Sequence, residues 1–238
     1  MRHDTAADEG TVFAQRGSTY YATIVALFAS LLLISNISAT KGVTFGPVGD
    51  FPINTDGGFL LFPLAYVLGD VLSEVYGFKA MRQAIVLGFV VAILGAVTFQ
   101  FVIVLPGAEY YQGQEAFETV LGLVPLILVA SVLGFIVGQT LNSLIVVAMK
   151  KRTHAHHLWA RLMGSTVVGE LADTVIFCSI AAPVIGFTSA ADWLNYVILG
   201  FLYKTAVEAA MLPITYPVIR WVKRREPSYA LTAEGASA

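Results

Sequence analysis

The chain has 238 residues, of which 57% are hydrophobic and only 13% charged, and its mean hydropathy is +0.74. Soluble domains carry about a quarter charged residues, so this composition belongs to an integral membrane protein. A net charge of −2 leaves no basic surplus for a nucleic-acid partner, and the single cysteine, Cys178, excludes an intrachain disulfide.

Residues 1–17 are polar and acidic and lack the basic leader and short apolar core of a secretory signal. They read as a disordered tail, as do residues 226–238, and a single transmembrane domain, 18–225, lies between them. Six stretches reach the roughly 20 apolar residues that a helix needs to cross hydrocarbon. They are about Tyr20–Thr40, Gly58–Tyr76, Ala80–Leu105, Phe117–Met149, Leu158–Gly186 and Trp193–Trp221. The expected fold is therefore an all-α integral membrane protein, a bundle of six transmembrane helices.

After the first span, "KGVTFGPVGDFPINTDGG" sets Val43–Phe45 and Phe51–Ile53 on either side of Gly-Pro-Val-Gly. That pattern suits a short hairpin over one face of the bundle or an irregular loop. Span four carries Ala130, Gly134 and Gly138 at four-residue intervals. Such a small-residue stripe allows close helix contact, within the bundle or across a homodimer. The loop beyond it, "KKRTHAHHLWAR", holds His154, His156 and His157 with no further His or Cys ligand. It reads as a solvated basic loop rather than a metal site, and no metal or cofactor is expected.

The cations orient the bundle. With the N-terminus inside, the cytoplasmic segments hold Arg2 and Arg16, Lys79 and Arg82, Lys150, Lys151, Arg152 and Arg161, and Arg220, Lys223, Arg224 and Arg225. That is twelve of the 14 Lys and Arg residues, against Lys41 outside and Lys204 within a span. Positive residues gather on the cytoplasmic side of membrane proteins, so both termini are expected there.

Six charges fall within the spans: Asp70 and Glu74 in the second, Glu170 and Asp173 in the fifth, Lys204 and Glu208 in the sixth. An ionised group at the centre of a lipid-facing helix costs about 2.5–3.5 kcal/mol. Six of them would cost roughly 15–20 kcal/mol, more than the whole stability of most proteins, so they must face inward. At 1.5 Å per residue, Asp70, Glu170 and Lys204 each lie roughly 16–18 Å along their helices, near the middle of the bilayer. Glu208 is the natural partner for Lys204, one turn along the same helix. The four remaining acids then need water, protons or a ligand. Asn36, Gln139 and Asn142 add amides at similar depth, and such a polar site at the midplane is what a transporter requires. Gly69-Asp70-x-x-x-Glu74 and Gly169-Glu170-x-x-Asp173 echo each other weakly. The echo leaves open a 3+3 inverted repeat, although chance accounts for so short a match equally well.

An intramembrane enzyme is the competing class. All four histidines lie outside the spans, which removes the metalloprotease and Ser/His mechanisms. Only a carboxylate dyad of Asp70 and Asp173 is left to that reading. The acids also suit a proton-coupled transporter. No Gly-x-x-x-x-Gly-Lys loop exists, so ATP energy would need another subunit, as in energy-coupled vitamin importers.

"LFPLAYVLGDVLSEVYGFKAMRQAI", "STVVGELADTVIFCSIA" and "LYKTAVEAAMLPITYPVIRWVKRR" resemble the queuosine-precursor transporter family, formerly the vitamin uptake transporters. The likeness implies a six-helix importer of the bacterial inner membrane, carrying 7-cyano-7-deazaguanine or its 7-aminomethyl form. It places the family pattern on Asn36, Asp70, Asp173 and Lys204, while Glu74, Glu170 and Glu208 fall where relatives are expected to differ. A guanine-like edge presents an acceptor and adjacent N–H donors, which a carboxylate can accept bidentately. Lys204 can donate to the ring carbonyl, and Phe62, Tyr66 or Tyr76 can stack on the ring. The candidate substrate-binding residues are thus Asn36, Phe62, Tyr66, Asp70, Glu74, Glu170, Asp173, Lys204 and Glu208.

The orientation is testable with single cysteines in a Cys178-free background. Cysteines near Gly49 and Gly113 should react with an impermeant thiol reagent on intact cells, and labelling at Lys151 instead would invert the topology.

Overall fold

The computed structural model describes residues 13–48, 51–152 and 158–229. Helix α1 spans Thr19–Ser38, with the Ser18 side chain capping it by accepting the Tyr21 N–H. A hairpin follows, β1 (Gly42–Val48) paired antiparallel with β2 (Phe51–Asp56), Val43 opposite Thr55 and Phe45 opposite Ile53. Of the two readings of this connection, the hairpin is the one formed. A 3-10 turn at Gly57–Leu61 leads into α2 (Phe62–Tyr76), whose Pro63 sits in the first turn, where a helix does not need the missing N–H.

Only Gly77 separates α2 from α3 (Phe78–Ile103), and its φ of 83° is one that residues with a Cβ rarely adopt. The expected fourth span is interrupted near its start: α4 (Gln114–Leu121) ends at Gly122, and α5 (Val124–Arg152) restarts around Pro125, which has no N–H to continue the ladder. The bundle closes with α6 (Leu158–Val184) and α7 (Ala190–Arg225). At 36 residues, α7 is about 54 Å long, which exceeds the hydrocarbon thickness. Among the described residues, six segments are long and apolar enough to cross a membrane: Thr19–Ser38, Gly57–Tyr76, Phe78–Ile103, Gln114–Asn142, Val167–Val184 and Ala190–Arg225. The protein is an all-α, multi-pass membrane bundle. The histidines 154, 156 and 157 lie outside the described residues.

Lipid is as apolar as leucine, so helices in a membrane associate by close packing rather than by escape from water. Helix α3 shows how: it buries Ala80, Ala84, Gly88, Ala92 and Ala96, one small residue per turn. A Cβ at Gly88 would come within 2.4 Å of Leu32 on α1. The bulky residues of α3, among them Val86, Leu87, Val90 and Leu94, are exposed and face lipid.

Polar fastenings hold the two ends of the bundle. At one end the hairpin is tied to α7: the Asn54 N–H donates to Asn195 Oδ1 at 3.0 Å, and Asn195 Nδ2 donates to the Pro52 carbonyl at 2.8 Å. Buried Asp56 accepts from the Tyr196 hydroxyl and from the Gly58 N–H. Burial pushes the Asp56 carboxyl above its ordinary value, and those hydrogen bonds pull the other way.

At the opposite end, the buried Glu226 accepts from the hydroxyls of Ser18, Tyr76 and Ser228. The Ala14 N–H donates to the Val75 carbonyl, and the Gln15 N–H to Ser228 Oγ. Residues 14 and 15, and 226 and 228, assigned to the tails from sequence, therefore make contacts with the bundle or with each other. Both ends of the described chain share one face, as an even number of spans demands.

Burial of Glu226 works against its charge, but the hydrogen bonds from Ser18, Ser228 and Tyr76 outweigh it and hold its carboxyl below the ordinary 4.5. A folded value below the unfolded one contributes stability that is full above about pH 4.5 and is lost as pH falls through the folded value. Glu226→Gln should therefore lower the thermal midpoint in detergent at pH 7, a loss of about 1–3 kcal/mol. The gap to wild type should narrow below pH 4.5; a gap independent of pH would show that the charge contributes nothing.

Candidate functional site

A cavity of about 350 Å³ lies among α2, α5, α6 and α7. One face of α2 supplies Phe62, Tyr66, Gly69, Asp70 and Ser73, at three- and four-residue intervals. Opposite them stand Glu170 and Asp173 from α6, Lys204 and Glu208 from α7, and Phe135, Gln139 and Asn142 from α5.

Two walls of the cavity, α5 and α6, approach each other closely. A Cβ at Gly138 would lie 2.7 Å from the Gly169 carbonyl oxygen and 2.9 Å from Asp173 Cβ, and one at Gly134 2.7 Å from Asp173 Oδ1. The glycine stripe on α5 is thus used inside the chain, and it seats Asp173 at the helix junction.

Buried Lys204 donates to Asp173 Oδ2 at 2.7 Å, and its Nζ lies 5.1 Å from the centre of the Phe62 ring. This corrects the expected pairing with Glu208. Lys204 reaches across to α6 rather than along its own helix, because Asp173 is held directly opposite by the glycine contacts. The Tyr66 hydroxyl donates to Glu170 Oε1 at 2.8 Å. Asp70 and Glu208 form no ion pair among the described residues. Asn142 Oδ1 is buried and has no hydrogen-bond partner among the described residues. The cavity therefore carries acceptors in excess of donors.

Of the nine residues singled out from sequence, seven line this cavity: Phe62, Tyr66, Asp70, Glu170, Asp173, Lys204 and Glu208. Glu74 does not. A row of residues four apart drifts by about 40° per step at 3.6 residues per turn, so Glu74 has rotated away, and it pairs with Lys223 at 2.7 Å. Tyr76 is buried elsewhere, donating to Glu226.

Asn36 lines a second, smaller cavity of about 180 Å³, which also holds Asp56 and Ser131. Its Nδ2 donates to the Leu32 carbonyl, and its Oδ1 accepts from Ser131 Oγ at 2.8 Å. Phe62, Phe135, Asp173 and Lys204 border both cavities and form the partition between them. Phe135 was not foreseen, since nothing distinguishes one phenylalanine in an apolar run. Asp56 was masked by its place in a polar loop.

A family model described as "Putative vitamin uptake transporter" matches residues 56–218, the stretch that carries α2 to α7. The chain belongs to the vitamin uptake transporter family. It is 32% identical over 179 residues to a protein of Bacillus subtilis (strain 168), covering 75% of this chain and 77% of that one. It is 25% identical over 185 residues to a protein of Haemophilus influenzae, covering 75% and 74%. Both relatives bear the name "Probable queuosine precursor transporter". No solved structure matches the chain. The family is one of transporters and not of enzymes, and the dyad reading of Asp70 and Asp173 is set aside.

The α5–α6 contact gives a direct test. Gly138→Ala should force the two helices apart and lower the thermal midpoint, an overpacking loss of about 1–3 kcal/mol. Gly200→Ala, whose Cβ would meet Thr174 Cγ2 at an ordinary 3.4 Å, should leave it unchanged. Equal behaviour of the two variants would show that the contact can relax.

Proposed function

We propose that the protein imports a queuosine precursor, 7-cyano-7-deazaguanine or 7-aminomethyl-7-deazaguanine, across the bacterial inner membrane, and that the cavity among α2, α5, α6 and α7 is its binding site. The observation that carries this reading is the excess of acceptors over donors in a cavity walled by aromatic rings. Three carboxylates, Asp70, Glu170 and Glu208, face a space whose lysine is already committed to Asp173. A solute that brings its own N–H groups supplies further donors to these acceptors. A deazaguanine ring offers two such donors side by side, N1–H and the 2-amino group. The volume of about 350 Å³ is at the small end of ligand pockets, in keeping with a single heterocycle. The names of both relatives supply the substrate class.

In this arrangement Asp70 and Glu208 accept from the ring edge. Glu170 is held by Tyr66, and Lys204, anchored by Asp173, donates to the ring carbonyl. Phe62, Tyr66 and Phe135 cover the ring faces. Asn142 Oδ1 takes a remaining donor. With the orientation expected from the cations, uptake carries the solute from the side of the hairpin to the side of the two chain ends.

Replacing a carboxylate that reads the ring by its amide puts an N–H against an N–H. Asp70→Asn and Glu208→Gln should each lose about 2–5 kcal/mol in binding a 7-deazaguanine, roughly 30-fold or more. Both should lose far less for an analogue without the 2-amino group. Equal losses for the two ligands, measured by equilibrium binding to purified protein, would remove these residues from the ring edge. Asp173→Asn should weaken both ligands together, because it releases Lys204.

A further inference from the structure

A third depression, of about 440 Å³, lies on the outside of the bundle, away from both inner cavities. It is lined by Arg16, Lys79, Arg82, Gln83, Val86, Leu87 and Val90. Its two ends differ in chemistry. Arg16, from the segment before α1, is held against α3 by a 2.7 Å hydrogen bond from its Nη1 to Gln83 Oε1. Beside it stand Lys79 and Arg82 from the first turns of α3, which brings three cations to one end, and none of the lining residues is acidic. Along the same helix face follow Val86, Leu87 and Val90, all of them exposed. From Lys79 to Val90 this face runs about 16 Å.

Since α3 crosses the membrane from Phe78 onward, the cations stand at the headgroup level and the aliphatic wall descends into hydrocarbon. A free anion would use only the upper half of this depression. A molecule with a negative head and an aliphatic tail uses all of it. We propose that the groove binds a phospholipid with an anionic headgroup, its phosphate against Arg16, Lys79 and Arg82 and one acyl chain along Val86, Leu87 and Val90. The site would tie the segment before α1 to α3 through the lipid as well as through Gln83, and it is independent of the substrate assignment.

The test uses the purified full chain in detergent, following the thermal midpoint as dioleoyl phosphatidylglycerol, dioleoyl phosphatidylcholine or inorganic phosphate is titrated. A basic residue beside an anionic headgroup is worth roughly fivefold in affinity. Phosphatidylglycerol should stabilise wild type, Arg82→Gln should weaken its apparent affinity about fivefold, and the triple variant R16Q/K79Q/R82Q by about a hundredfold. Phosphatidylcholine and inorganic phosphate should stabilise neither to a comparable degree. If the triple variant does not fold, the comparison of Arg82→Gln with wild type decides. Phosphatidylglycerol binding unchanged in the variants would overturn the proposal, as would phosphatidylcholine acting as well as phosphatidylglycerol. Stabilisation by inorganic phosphate equal to that by the lipid would assign the cations to a free anion and overturn the lipid site.

Discussion

A charge inside the hydrocarbon must be compensated where it stands, and the ion pair between Lys204 and Asp173 meets that demand at the junction of α6 and α7. Much of the interior is arranged around it. The glycines of α5 bring that helix against the backbone of α6 and so set the position of Asp173. Phe62 closes the cation from the side of α2. Removing either partner would leave the other inside the bundle and uncompensated, a more costly condition than having neither. The pair is a commitment shared by four helices rather than a local contact.

The ends of the bundle are held in a different way, by neutral and singly charged hydrogen bonds at its two faces. The hairpin is fixed to the start of α7 through Asn54 and Asn195, and the far end of α7 is fixed to α1 and α2 through Glu226, Ser18 and Tyr76. Helix α7 thus takes part in all three polar centres: the hairpin tie, the ion pair and the Glu226 node. Pro213 and Pro217, which cannot make the internal helix bonds at their positions, fall between the second and the third. The internal hydrogen-bond ladder of α7 is therefore interrupted between Lys204 and the end that Glu226 caps.

Large parts of this were legible in the residues. The length and apolarity of the stretches set the number of spans, and the cost of charge in lipid points Asp70, Glu170, Asp173, Lys204 and Glu208 inward. The partner of Lys204 was not legible. Helical spacing identifies Glu208 as a neighbour, but it carries no information on which other helix lies opposite. One step of four residues keeps Glu74 near the face of Asp70, but the drift over three such steps from Phe62 carries it off the cavity face. The alanine and glycine ladder of α3, one small residue per turn from Ala80 to Ala96, was present in the sequence and would have marked the face turned to α1. Glu226 could not have been found this way, because its burial depends on two distant segments meeting it from polar sequence.

The partition between the two inner cavities bears on what the bundle keeps out. It is built from one cation, one anion and two aromatic rings. Its cation and anion are bonded to each other at 2.7 Å, so a continuous opening between the two spaces requires that this bond part or that Phe62 or Phe135 turn aside. The contact that compensates the buried charge is thus also the barrier between the two cavities.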